Sequence, residues 1–135
     1  MQLQIILIFA IMRFTLGVKE KLKSRKQITQ LFEEGLSLKE YPIRLRFLKV
    51  EESDSQIKVA FSVPKRNVKL AVKRIRIKRM LREVYRLNKH ILFDTIEGNF
   101  VLMFLYTDRT EWSYQDLEKK MISVLHKFVK NQKES

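Results

Sequence analysis

The hydropathy pattern of this 135-residue chain predicts an α+β sandwich, with helices packed over a small four-stranded sheet in the order α-β-β-β-α-β-α. Three observations carry that expectation. Residues 43–48 and 57–63 alternate apolar and polar side chains with the period of two that marks a half-buried strand. Residues 100–106 read Phe-Val-Leu-Met-Phe-Leu-Tyr, a continuous apolar run of strand length that suits a central strand buried on both faces. Three other segments space their apolar residues at helical intervals instead.

The first of these helices is expected over Arg25 to Glu34. Ser24 opens a capping box with Gln27 at the third helical position. Ile28, Leu31 and Phe32 share one face, and Gly35 is a good stop. Residues 36–41 suit a short edge strand. In the next strand Ile43, Leu45 and Phe47 alternate with Arg44, Arg46 and Leu48. After a polar turn over residues 51–55, Ile57, Val59, Phe61 and Val63 alternate with Lys58, Ala60 and Ser62. These two alternating strands are expected to pair as a hairpin, and Pro64 ends the second. A helix follows over Ala71 to Lys89, then the strand Asn99 to Tyr106. Ser113 caps a last helix, with Asp116 at its third position and Leu117, Met121, Val124, Leu125 and Phe128 as its core stripe.

The chain fits one domain. It has no cysteine, which excludes disulfides and thiolate metal sites. Residues 1–12 read MQLQIILIFAIM. That apolar run is too short to span a bilayer, lacks a basic region before it, and lacks a small-residue cleavage site after it. It is read as an extension ahead of a start at Met12, with the domain occupying residues 13–135. A loosely docked tail and a membrane anchor are the alternatives.

Charge is the unusual property. The net charge is +13, which implies a polyanionic partner or an anionic surface. Residues 64–90 contain eleven Lys or Arg and one acid, Glu83, a balance of +10; the other 108 residues carry only +3. On a helical wheel, at 100° per residue, Ile77, Met80, Leu81, Val84, Leu87 and Ile91 form an apolar stripe. Lys78, Arg79, Arg82, Arg86 and Lys89 fall on the opposite face. Arg74, Lys78, Arg82 and Arg86 are successive i,i+4 like-charge pairs, each costing about 0.2–0.5 kcal/mol. Such a helix is unfavourable alone and favourable against a row of phosphates, so the pattern is the electrostatic footprint of nucleic-acid binding. Arg44 and Arg46 share one sheet face. If that face is open beside the first helix, a strand of nucleic acid could lie there; exposed strand polars are the plainer alternative.

No catalytic constellation is visible. His90 and His126 are isolated, no carboxylate pair has metal spacing, and no glycine-rich phosphate loop exists. Trp112 and Tyr114 flank the last cap and suit packing better than base stacking.

The residues of the basic helix also carry a resemblance. Phe61-Ser-Val-Pro-Lys-Arg66 followed by Ala71-Val-Lys-Arg-Ile-Arg-Ile-Lys-Arg-Met-Leu-Arg-Glu83 resembles the bacterial ribonuclease P protein component, whose pattern is Ser-Val-x-Lys-Lys and then Ala-Val-x-Arg-Asn-Arg-Ile-Lys-Arg-x-x-Arg-Glu. Leu22-Lys-Ser24 and Ile28-Thr-Gln-Leu-Phe-Glu-Glu-Gly35 are similar to the family's first helix. The resemblance implies an unusual left-handed β-α-β crossover through the basic helix. It implies the protein subunit of an RNA-based endonuclease that removes the 5′ leader of precursor tRNA, with catalysis by the RNA subunit and with Mg²⁺ held mainly by that RNA. It further implies that Lys65, Arg66, Arg74, Arg76, Lys78, Arg79, Arg82 and Arg86 contact the catalytic RNA. Ile28, Phe32, Arg44 and Arg46 would line the leader cleft. The expected partners are the ribonuclease P RNA and precursor tRNA, in a one-to-one complex with a protein monomer, in the cytoplasm and without stable membrane association. The chain departs from the pattern at Ile75, where the family has Asn, and at Lys69-Leu70, where it has Gly-Asn. Phosphate contacts are expected to persist while one polar contact is lost. A non-catalytic RNA-binding protein of similar fold, such as a ribosome-associated one, and a membrane-surface protein are the competing readings.

Overall fold

A computed structural model describes residues 16–93 and 95–134. The apolar run before Met12, and with it the expected start site, lies outside the described residues. A 3₁₀ turn at Val18–Glu20 leads to α1 (Arg25–Glu34), β1 (Leu36–Glu40), β2 (Ile43–Val50) and β3 (Ile57–Ser62). The basic helix α2 (Ala71–Asn88), a helical turn α3 (His90–Phe93), β4 (Asn99–Tyr106) and α4 (Tyr114–Glu134) follow. The element order matches the expectation, including the edge strand β1.

The caps explain the boundaries. Ser24 Oγ accepts from the Gln27 amide at 3.3 Å and starts α1. Ser113 Oγ accepts from the Asp116 amide at 3.2 Å and starts α4. At the end of α1 the Gly35 amide donates to the Leu31 carbonyl. A Cβ at Gly35 would stand 2.2 Å from that carbonyl oxygen, so glycine is required by close approach.

The sheet order is β1-β2-β4-β3. β1 pairs with β2 and β2 with β4, both antiparallel, and β3 runs parallel to β4. The expected hairpin between β2 and β3 is therefore not formed, because β4 lies between them. The physical reason is burial. β4 is the continuously apolar strand, buried at Phe100–Phe104 and Tyr106, and a strand apolar on both faces is most stable with a neighbour on each side.

One face of the sheet carries Ile43, Leu45 and Phe47, then Ile57, Val59 and Phe61, then Phe100, Leu102, Phe104 and Tyr106. It packs on Ile77, Leu81, Val84 and Tyr85 of α2 and on the α4 stripe. The other face is covered more thinly, with Leu22, Leu31, Val101 and Met103 at its buried centre under α1.

Strand chirality gives the handedness of the crossover. When an L-residue in an upward strand points its side chain at the viewer, its N–H and C=O point right. Seen from the α2 side, Val59 faces the viewer, and its carbonyl accepts from Leu22, away from β4. β4 therefore lies to the left of β3. The path from β3 over the near face as α2 and back as β4 moves leftward, so this crossover is left-handed, whereas about 98% of such connections are right-handed.

Candidate nucleic-acid interface

α2 is anchored along one side and exposed along the other. Ile77, Leu81, Val84 and Tyr85 are buried; Tyr85 lies against Phe61 and Phe104, with ring centroids at 5.7 and 5.4 Å. Lys78, Arg79 and Arg82 face outward. Like those of Lys65 and Arg66 in the turn after β3, their side chains make no hydrogen bond or ion pair to another described residue. These are five exposed cations with no acid among them, two in the turn and three along the helix that follows it.

The other cations assigned to this surface are engaged to differing degrees. Arg74 Nη1 donates to the carbonyls of Val68 and Lys69 at 3.0 and 2.8 Å, tying the turn to the start of the helix. Leu70 occupies the N-cap without a side-chain capping bond. Arg76 makes a bidentate pair with Glu111, Nε to Oε1 at 2.5 Å and Nη2 to Oε2 at 2.8 Å. That guanidinium holds the Glu111 carboxyl below its ordinary range. Arg86 pairs with Glu83, the only acid in the helix, with Nε to Oε2 at 3.1 Å.

Lys89 differs from expectation. The wheel places it on the solvent face, but it is 3% exposed. Its Nζ donates to both carboxylate oxygens of Glu20 at 2.8 and 3.0 Å. α2 ends at Asn88 and the chain turns into α3, so the wheel angle no longer applies. The pair fastens the 3₁₀ turn of the N-terminal segment to the end of the helix.

That fastening completes a feature that sequence reasoning missed. Lys21 and Lys23 join Lys78 and Arg82 around a cleft of about 300 Å³, floored by Val59, Ala60 and Phe61. Four cations from two segments converge at the outer edge of β3, where the N-terminal segment bridges to Val59, with no carboxylate in the lining. The Lys-Leu-Lys pattern around buried Leu22 was the available signal: an anchored apolar residue turns its neighbours outward.

On the α1 side, the expected cleft residues separate in role. Ile28 packs on the Leu22, Leu31, Val101 and Met103 cluster. Phe32 is 48% exposed, with the Arg46 guanidinium 5.4 Å from its ring centroid. Arg46 Nη2 also donates to the Phe32 carbonyl at 2.9 Å, with longer contacts to the Leu31 and Gly35 carbonyls. It thereby satisfies the C-terminal carbonyls of α1 and complements the helix dipole. Arg44 stands two residues away on the same face, half-buried, with a buried Nε that has no partner among the described residues. The face beside α1 is thus partly open and cationic, and one of its two arginines braces the helix.

The loop that carries Glu111 is cross-braced by hydrogen bonds. Asp108 accepts from the Arg109 amide at 2.6 Å, from the Thr110 hydroxyl at 3.1 Å and from Trp112 Nε1 at 2.6 Å. Burial raises its carboxyl, but hydrogen bonds from Trp112, Tyr41 and the backbone outweigh it and bring the pKa to about 2. The Tyr106 hydroxyl donates to the Thr110 carbonyl and accepts from the Trp112 amide. Trp112 and Tyr114 pack against the core, as their sequence context suggested.

Among the described residues, no three His, Asp or Glu side chains gather as a metal site. The described residues therefore do not fit a Mg²⁺ cage. No described helix is long and apolar enough to cross a membrane.

The fold and the ridge together define a class: small α+β proteins that hold out a cationic helix anchored by its apolar side. Within that class the chain belongs to the ribonuclease P family, whose model, described as Ribonuclease P, matches residues 16–129. The "Ribonuclease P protein component" of Porphyromonas gingivalis is 40% identical over 85 residues, covering 62% of each chain. The match therefore spans less than two-thirds of that relative's length. The protein of the same name from Chlorobaculum tepidum is 34% identical over 115 residues, covering 77% of this chain and 74% of that one. The solved RNase P protein of Thermotoga maritima superposes with a TM-score of 0.64 at 22% identity, covering 78% of this chain and 94% of that chain, a likeness of fold.

Proposed function

We propose that the chain is the protein subunit of ribonuclease P, which binds a catalytic RNA and the 5′ leader of precursor tRNA and so promotes 5′-end maturation. The observation that carries the reading is the surface of Lys65, Arg66, Lys78, Arg79 and Arg82, cationic and without acidic partners. Family membership supplies the identity of the polyanion. In this reading Lys65, Arg66, Arg74, Arg76, Lys78, Arg79, Arg82 and Arg86 face the RNA subunit. Arg74 also fixes the turn, while Arg76 and Arg86 reach the RNA by exchanging their glutamate partners for phosphates. Ile28, Phe32, Arg44 and Arg46 border the path of the single-stranded leader; Phe32 is the exposed ring on which a base can stack.

Cleavage chemistry belongs to the RNA and the Mg²⁺ it holds, and the protein's contribution is charge neutralisation and substrate positioning. It acts as a monomer in a one-to-one complex, in the cytoplasm and without stable membrane association. The test is cleavage of precursor tRNA by the cognate RNA subunit at low Mg²⁺, with and without this protein. Stimulation is expected; the same rate in both reactions would overturn the proposal.

A further inference from the structure

The first two turns of α2 hold a feature that phosphate binding leaves unused. Val72 and Ile75 are 66% and 52% exposed, and their i,i+3 spacing makes them neighbours on the helix surface. Leu70, at the N-cap, is exposed as well. Single exposed apolar residues are common. This pair is different because of its setting, at the head of the ridge. Arg76 follows Val72 by four residues and Arg79 follows Ile75 by four, so each apolar residue has an arginine as its neighbour one turn on. Leu70 and Ile75 also stand where the resembled motif has asparagines, so two polar positions are apolar and exposed here.

We propose that Val72 and Ile75 form an aliphatic seat for an unstacked nucleobase of the RNA subunit, adding a salt-independent contact to the salt-dependent grip of the ridge. The inference rests on the RNA partner proposed above. Charge complementarity selects that occupant. A second copy of the chain would bring another segment of net charge +10 against the same ridge. RNA brings the opposite charge, and its apolar surface is the face of a base, accessible where bases are splayed out of the stack. Aliphatic carbons gain dispersion contacts against such a face while Arg79 reaches the adjoining phosphate.

The experiment compares Ile75→Gln and Val72→Gln with Arg79→Gln, measuring affinity for the cognate ribonuclease P RNA across a salt series. Glutamine has a better helix propensity than either β-branched residue, so the fold is kept; urea unfolding verifies this. Each apolar-site variant is expected to bind about fivefold more weakly at every salt concentration, with the slope of log K against log salt unchanged. Arg79→Gln is expected to flatten the slope by about 0.7–0.9. Binding within twofold of the parent, or a loss that enters through the slope, would overturn the inference and leave the subunit reading standing. Failure of the unaltered chain to bind the RNA would instead defeat that reading, and this inference with it. Sedimentation of the free protein is the control: self-association abolished by Ile75→Gln would identify a second copy as the occupant and reject the nucleobase.

Discussion

α2 and α4 are built on one plan and differ in what they do with charge. Both are amphipathic, both pack on the same face of the sheet, and they touch each other. On α4, Lys127 and Lys120 pair with Glu40 of β1, and Lys127 also donates to the Lys39 carbonyl at 3.0 Å. These two lysines hold the edge strand to the helix. On α2, Lys78, Arg79 and Arg82 have no such partner among the described residues. The shared apolar anchor makes each helix part of the fold; α2 gathers three unpaired cations within five residues, whereas the unpaired lysines of α4, Lys119, Lys130 and Lys133, are scattered along its length. A basic helix is a binding element where its unsatisfied charges are clustered on one face.

The comparison can be broken first at the anchor. Leu81→Ala in α2 and Leu125→Ala in α4 each empty a fully buried site and are expected to cost about 2–5 kcal/mol, measured by urea unfolding. Similar losses confirm a common anchor. Lys89→Met comes next. It leaves the Glu20 carboxylate without its buried partner, and removal of one member of such a pair costs about 3–5 kcal/mol. The low end is expected, because Glu20 keeps 18% side-chain exposure. This variant should also loosen the N-terminal segment carrying Lys21 and Lys23, visible as faster amide exchange there.

Charge changes should have smaller effects on stability and opposite effects on function. Arg82→Gln relieves like-charge repulsion and should shift stability by no more than about 0.5 kcal/mol while weakening RNA binding. Lys127→Gln should cost at most about 1 kcal/mol, the range of exposed ion pairs, and leave RNA affinity unchanged. Equal losses of RNA affinity in the two variants would erase the distinction between the helices.

The smallest effect concerns the loop that joins β4 to α4 and carries Glu111, the partner of α2. Asp108 titrates at about 2 in the folded chain, below the ordinary carboxylate value of about 4 in the unfolded one. A depressed folded pKa contributes stability above the unfolded value, and that contribution is lost as pH falls from about 4 toward 2. Thermal unfolding should show this loss in the parent chain and a shallower one in Asp108→Asn.

Local features were legible in the sequence because local rules set them. Ser24 and Ser113 marked the helix starts, and the apolar run of β4 marked a central strand. The pairing of strands was not legible from alternation, since β2 and β3 carry the same pattern whether they meet or flank a third strand. The apolar run of β4 marked it as an interior strand but not which strands flank it, since an order β3-β2-β4-β1 would bury it equally and keep the hairpin. The ridge residues Lys78, Arg79 and Arg82 were read correctly as outward-facing. Lys89 was not, because its partner Glu20 lies 69 residues earlier in the chain and a helical wheel sees only its own segment. Lys21 and Lys23 were missed for the same reason: their convergence with Lys78 and Arg82 depends on the N-terminal segment lying along the edge of β3. Tyr85 lies at the margin of the apolar stripe and is buried by contacts from Phe61 and Phe104 that no local pattern contains.

The central claim, that α2 is a set of cations left unsatisfied for an RNA, is tested most directly by the salt dependence of binding to the cognate RNA subunit. Neutralisation of about five phosphates predicts a slope of log K against log salt of about −3.5 to −4.5. The double variant Arg79→Gln/Arg82→Gln should be shallower by about 1.4–1.8. A slope near zero in the parent, or one that the double variant leaves unchanged, would contradict the claim.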